Sequence, residues 1–121
     1  MGLPETDGDL LLLHNPRCSK SRAVRTLLEE RGTTFQERRY LEEPLSLAEL
    51  SELRVRLDQP VEKWVRRGEP AFAEAGLPAD ASEERLLDAL ATHPILLERP
   101  ILIRGRRAVV GRPPERVLEL L

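Results

Sequence analysis

The stretch Leu10-Leu11-Leu12-Leu13-His14-Asn15-Pro16-Arg17-Cys18-Ser19-Lys20-Ser21-Arg22 decides the fold. Its four leucines form a continuous apolar run, which reads as a short buried strand, and Asn15-Pro16 is the turn signal that stops it. Over residues 19–31 the apolar side chains Ala23, Val24, Leu27 and Leu28 recur at helical spacing, and Gly32 supplies the C-terminal stop. Residues 34–40 alternate and contain β-prone Thr34, Phe35 and Tyr40, the pattern of a second strand. Strand, helix and strand in this order imply a right-handed parallel unit.

Working outward, the middle of the chain is helical. Ser46-Leu47-Ala48-Glu49 is a capping box followed by an apolar stripe of Leu47, Leu50, Leu53 and Leu57. Residues 61–67 read as a short helical piece between Pro60 and Gly68. Residues 82–92 read as a further helix with Glu83 and Glu84 in its first turn and Leu86, Leu87 and Leu90 facing inward, ending at His93-Pro94 with His93 as its cap. Ile101-Leu102-Ile103 and Ala108-Val109-Val110 flank a turn with Gly105, a β-hairpin whose Arg104, Arg106 and Arg107 are expected to be solvated. Pro113-Pro114 starts a final helix carrying Val117, Leu118 and Leu121. The order β-α-β, helical insertion, β-β-α is that of an α/β, thioredoxin-like (glutaredoxin-like) domain with a four-stranded mixed sheet. Residues 1–9 are expected to be a flexible leader and residues 10–121 the single domain.

Composition narrows the function. The chain has 121 residues, a net charge of −2 and one cysteine, Cys18. A lone cysteine excludes an internal disulfide framework and a Cys-x-x-Cys pair, and with only His14 and His93 beside it no metal site is expected. Of the 19 basic residues only Lys20 and Lys63 are lysines, so 17 are arginine, whose planar fork of donors suits oxyanions. With this charge balance and four aromatic residues, nucleic-acid binding has no support. No apolar run approaches the about 20 residues needed to cross a bilayer, and a cytoplasmic monomer is expected.

Cys18 follows the first strand and precedes the first helix, where unpaired N–H groups of the helix point at a ligand. A free thiol has a pKa of about 8.5, and helix N-termini or nearby cations lower it. Arg17, Lys20 and Arg22 are close in sequence, and His14, Ser19 and Ser21 can add charge or hydrogen bonds. The residues thus propose an anion site containing a nucleophilic sulfur. Any redox cycle there must finish on an external thiol, because the chain has no resolving cysteine.

The loop from His14 to Arg22 closely resembles the His-Asn-Pro-x-Cys-x-x-Ser-Arg loop of the glutaredoxin-dependent arsenate reductases, the ArsC family. His93-Pro94-Ile95-Leu96-Leu97-Glu98-Arg99-Pro100-Ile101 is similar to that family's His-Pro-Ile-Leu-x-x-Arg-Pro-Ile block, and Gly111-Arg112-Pro113-Pro114-Glu115 to its Arg-Pro-x-Glu block. The resemblance implies that Cys18 is the nucleophile, that Arg66, Arg99 and Arg112 bind arsenate, and that His14 and Ser21 tune the thiolate. Arg66 is the preferred first arginine and its neighbour Arg67 the alternative; for His14, a hydrogen bond to the loop backbone is the competing role. The resemblance further implies a cis Arg99-Pro100 bond, a state found in only about 5–6% of X-Pro bonds. In the implied mechanism the Cys18 thiolate attacks arsenic and expels water or hydroxide. Glutathione then takes the second sulfur position, arsenite leaves, and glutaredoxin resolves the mixed disulfide, with no tightly bound cofactor.

The chain stops at Leu121, which places the resemblance with the shorter chromosomal relatives. Two other functions use the same fold. A thiol-dependent oxidoreductase could act on a glutathione adduct or another oxyanion. An Spx-like regulator would bind RNA polymerase, but such proteins commonly carry a Cys-x-x-Cys switch where this chain has Cys18-Ser19-Lys20-Ser21.

Overall fold

The leucine run becomes β1 (Leu10–His14), a strand with neighbours on both sides. The computed structural model describes residues 2–121; of the leader expected over residues 1–9, Met1 lies outside the described residues. After β1 come α1 (Ser19–Glu30), β2 (Gln36–Arg39), α2 (Leu47–Leu57), a 3₁₀ segment Val61–Trp64, α3 (Pro70–Glu74) and α4 (Glu83–Thr92). A 3₁₀ turn Pro94–Leu96, β3 (Ile101–Arg104), β4 (Arg107–Val110) and a last 3₁₀ segment, Pro114–Leu120, complete the chain. The sheet order is β2-β1-β3-β4, with β1 parallel to β2, antiparallel to β3, and β3 antiparallel to β4.

Strand side chains point alternately to opposite faces, and both faces of this sheet are covered. Leu11 and Leu13 of β1, with Ile101 and Ile103 of β3, pack against α2, α4 and Trp64. Leu12, Leu102 and Val109 face the other way, onto Val24 and Leu28 of α1 and Val117 and Leu120 of the last segment. The continuous apolar run is therefore the signature of a strand buried on two sides.

Local signals account for the helix ends. Ser46 and Glu49 exchange the two bonds of the capping box, at 3.1 and 3.0 Å. At the end of α1, Thr33 N–H donates to Leu28 O and Gly32 N–H to Glu29 O, both at 3.0 Å, a Schellman closure that requires the positive φ of Gly32.

Several details differ from the sequence pattern. Leu47 is exposed, so the inward stripe of α2 is Leu50, Leu53 and Leu57. The short helix α3 was not foreseen. The final segment is 3₁₀ rather than α, and it buries Val117 and Leu120 while leaving Leu118 and Leu121 exposed, as a repeat of three residues per turn demands. Arg104 is not a solvated turn residue: its guanidinium donates to Asp7 O and Leu120 O. Residues 2–9 form no helix or strand, yet Leu3 is buried in the core and Pro4 O accepts from Arg56.

Candidate active site

Cys18 is the N-cap residue of α1, immediately beyond the carboxyl end of β1. The loop that delivers it is closed by its own hydrogen bonds. Cys18 N–H donates to Asn15 O at 3.0 Å, Arg17 N–H to Asn15 Oδ1 at 3.0 Å, and Arg22 Nη1 to Pro16 O at 2.8 Å. Ser21 is fully buried beneath it and accepts the Asn15 N–H at 3.0 Å, with His14 Nδ1 2.7 Å from its oxygen. Burial lowers the His14 pKa, and Arg25, Arg39 and Arg22 lower it further against the opposing pull of Glu37, so the ring is neutral. Among the described residues, the side-chain bonds of His14 and Ser21 thus run to each other and to the loop backbone.

Cys18 is 8% exposed. Burial pushes its pKa up, but the N–H groups of Ser21 and Lys20 at the helix N-terminus and the guanidinium of Arg99 outweigh that, and the thiol lies below its ordinary value. Those N–H groups face the sulfur without making a cap bond of regular geometry; Arg112 Nη2 donates to it at a long 4.0 Å.

The three candidate arginines arrive on three segments. The expected helix over residues 61–67 stops at Trp64, and Val65 turns extended to pair with Leu97. Arg66 N–H then donates to Leu96 O at 2.7 Å and Glu98 N–H to Trp64 O at 3.0 Å, which lays Arg66 alongside Glu98 and Arg99. The extended turn also separates Arg66 from Arg67. Arg66 pairs with Glu69 at 3.1 Å, whereas Arg67 turns away, 5.3 Å above the Phe72 ring and 4.0 Å from Glu62. Arg99-Pro100 is cis, and so is Arg112-Pro113, a feature the sequence reading did not contain. Arg112 Nε donates to Arg99 O at 2.7 Å, joining the two. Gly111 makes that approach possible. Its N–H donates to Pro100 O at 2.8 Å, and a Cβ there would stand 2.9 Å from Val24 Cγ2, 3.0 Å from Pro100 Cγ and 3.2 Å from Val117 Cγ1.

Two further features belong to the site. Glu69 and Glu98 lie among the arginines, with Glu98 Oε1 3.1 Å from Arg112 Nε. Tyr40, just past β2, is fully buried with its hydroxyl unpartnered; it lies near Asn15 without a hydrogen bond of regular geometry. Burial pushes its pKa up to about 12 although Arg99 and Asn15 pull the other way, so it remains a neutral donor. Arg99 Nε and Nη1 are likewise buried without hydrogen-bond partners, and Arg66 Nη1 has only its ion pair with Glu69, which lacks regular hydrogen-bond geometry. Buried donors are normally paired, so their clustering beside a thiolate-favouring sulfur describes a site built for a polyoxygen anion. The larger concavity between residues 2–9 and 34–36 opens at the start of β1, away from this chemistry.

The profile of the ArsC family matches residues 13–120. The chain belongs to the ArsC family. It is 40% identical over 115 residues to an arsenate reductase of Neisseria meningitidis, covering 93% of this chain and 98% of that one. To the uncharacterized Escherichia coli protein YfgD it is 42% identical over 113 residues, 91% and 94% of the two chains. The solved arsenate reductase from Vibrio cholerae superposes on this ArsC-family chain with a TM-score of 0.88 at 41% identity, over 93% of this chain and 98% of that one. The thioredoxin-like architecture is thus the family's own.

Proposed function

We propose that this ArsC-family chain reduces arsenate to arsenite, with glutathione and glutaredoxin as external thiols. The observation that carries the reading is the convergence of unpaired Arg99 donors and Arg112 Nη2 on the Cys18 sulfur, whose pKa is lowered. Arg66, Arg99 and Arg112 bind the oxyanion and offset the charge that builds on it. The Cys18 thiolate attacks arsenic; a sulfur–arsenic bond forms and an arsenic–oxygen bond breaks, the oxygen leaving as water. Glutathione thiolate then attacks the Cys18 sulfur. The electron pair of the sulfur–arsenic bond stays with arsenic, which leaves as arsenite, and a Cys18–glutathione disulfide remains. A glutaredoxin thiol takes the glutathione sulfur and frees the Cys18 thiolate. His14 and Ser21 hold the loop that presents the sulfur. The single cysteine supports this sequence, since both electrons not supplied by Cys18 come from outside the chain.

The test is arsenite formation by the purified protein with arsenate, glutathione and glutaredoxin. Turnover is expected to require both thiols and to vanish in Cys18→Ser. Sustained turnover by that variant removes Cys18 as the nucleophile.

A further inference from the structure

One carboxylate oxygen meets the guanidiniums of two of the arginines and the backbone of the third. Glu98 Oε1 lies 3.1 Å from Arg112 Nε and 3.9 Å from Arg66 Nε, and it accepts the Arg99 backbone N–H at 3.2 Å. Glu69, at the start of α3, touches two of them: its Oε1 is 3.1 Å from Arg66 Nη1 and 3.9 Å from Arg99 Nη1. The two side chains are only 22% and 23% exposed, so solvent screens their charge incompletely. Beyond these, Tyr40 past β2 faces Glu98, and Cys18 at the head of α1 lies on the other side of Arg112, which touches both.

The charges nearly cancel. Three guanidiniums stand against two carboxylates and, once ionised, the Cys18 thiolate. An arginine trio alone would reward every additional negative charge on a ligand. With Glu98 at its centre, a repulsion proportional to the ligand's charge opposes that reward.

From this we infer that Glu98 sets the charge preference of the site, cutting back the advantage that the doubly charged form of a tetrahedral oxyanion would otherwise hold over the singly charged form. The inference rests on the oxyanion reading of the site and deepens it. Glu98, rather than Glu69, is the stronger determinant because it pairs at 3.1 Å with Arg112, the arginine whose Nη2 reaches the Cys18 sulfur. Both forms of arsenate and of phosphate coexist near neutral pH, so the weakening of binding by Glu98 grows as the pH rises through that ionisation.

The probe is inorganic phosphate, which thiols do not reduce, titrated calorimetrically into the intact chain at pH 6 and pH 8. Glu98→Gln keeps the acceptor for Arg99 N–H and removes the charge. Because Coulomb energy scales with ligand charge, the fold-change for the dianion is the square of that for the monoanion: about threefold tighter binding at pH 6 and about tenfold at pH 8. All the chains carry Cys18→Ser in this titration, so a shift of the thiol ionisation by the substitution does not enter the ratio. Sulfate, doubly charged at both pH values, is expected to tighten about tenfold at each. Glu69→Gln should act in the same direction more weakly, and it carries the test should Glu98→Gln not fold. Phosphate binding that the Glu98 substitution leaves unchanged, weakens or tightens equally at both pH values overturns the proposal while leaving the oxyanion site intact. Absence of binding by all three chains removes the oxyanion site, and the preference with it.

Discussion

Arg38 and Arg99 both direct a guanidinium into the protein, with side chains 5% and 14% exposed, and their surroundings differ in kind. Arg38 donates from Nε to Glu43 O, from Nη1 to Glu49 Oε2, and from Nη2 to Pro44 O and Glu49 Oε1, at 2.7–3.0 Å. It ties β2 to the head of α2. Arg99 has two buried nitrogens without a partner and a neighbouring sulfur. A buried charge with every nitrogen paired maintains a fold; one with nitrogens that make no hydrogen bond is suited to bind.

The sharpest way to break that comparison is to remove each charge. Arg38→Ala leaves Glu49 uncompensated and should lower stability by about 3–5 kcal/mol, read by urea denaturation. Arg99→Ala should cost less than about 1 kcal/mol of stability and lower arsenate reduction by about 100-fold or more. If the Arg99 variant unfolds and the Arg38 variant does not, the two roles are exchanged.

pH separates the regions next. Burial would raise the Glu49 carboxyl, but its bonds from Arg38 and Ser46 outweigh that and hold it below the ordinary value. A pKa depressed by folding supplies stability above the ordinary carboxylate range and loses it as pH falls through the folded value. Acid unfolding should therefore show this contribution, and Arg38→Met should flatten it. Cys18 obeys the same sign at higher pH: relative to Cys18→Ser, stability grows between the lowered thiol value and the ordinary one. The iodoacetamide reaction of Cys18 should have its midpoint below that of a free thiol, and Arg99→Ala should move it upward. An unmoved midpoint would separate Arg99 from the sulfur.

Tyr40→Phe is a smaller change. Deleting a buried hydroxyl that has no partner should leave the melting temperature unchanged or raise stability by up to about 1 kcal/mol. A clear loss would show that the hydroxyl is paired. The smallest effect is expected at Arg67, set against Phe72: Arg67→Ala should stay within about 0.5 kcal/mol of the parent and within about twofold of its activity.

These contrasts also define what the amino-acid order made legible. The β1 run, the turn and the α1 periodicity are short-range signals, and each element forms where they lie. Cys18 is placed by the same signals, because a strand end followed by a helix start defines its position. Arg38 was invisible: in Gln36-Glu37-Arg38-Arg39 it looks like any polar strand residue, and its partner Glu49 presents itself only as half of a capping box. Glu98 and Tyr40 were equally silent, one resembling a surface charge and the other a β-former. Their meaning depends on which segments meet, and the Val65–Leu97 pairing behind that meeting ends a helical pattern instead of continuing it. The final segment misled through its period, since Val117, Leu118 and Leu121 suit 3.6 residues per turn and the chain adopts three.

Gly111 has a consequence for anyone seeking to redirect the chemistry. Pro100, Val24 and Val117 close around it so tightly that no side chain fits without displacing one of them, while Arg112 follows in the next position. Residues 99–112 therefore behave as a cassette with a fixed socket on α1 and the last 3₁₀ segment. Grafting them between relatives should succeed when the socket travels too, whereas shuffling single positions inside the cassette should yield chains whose arginines no longer aim at the sulfur.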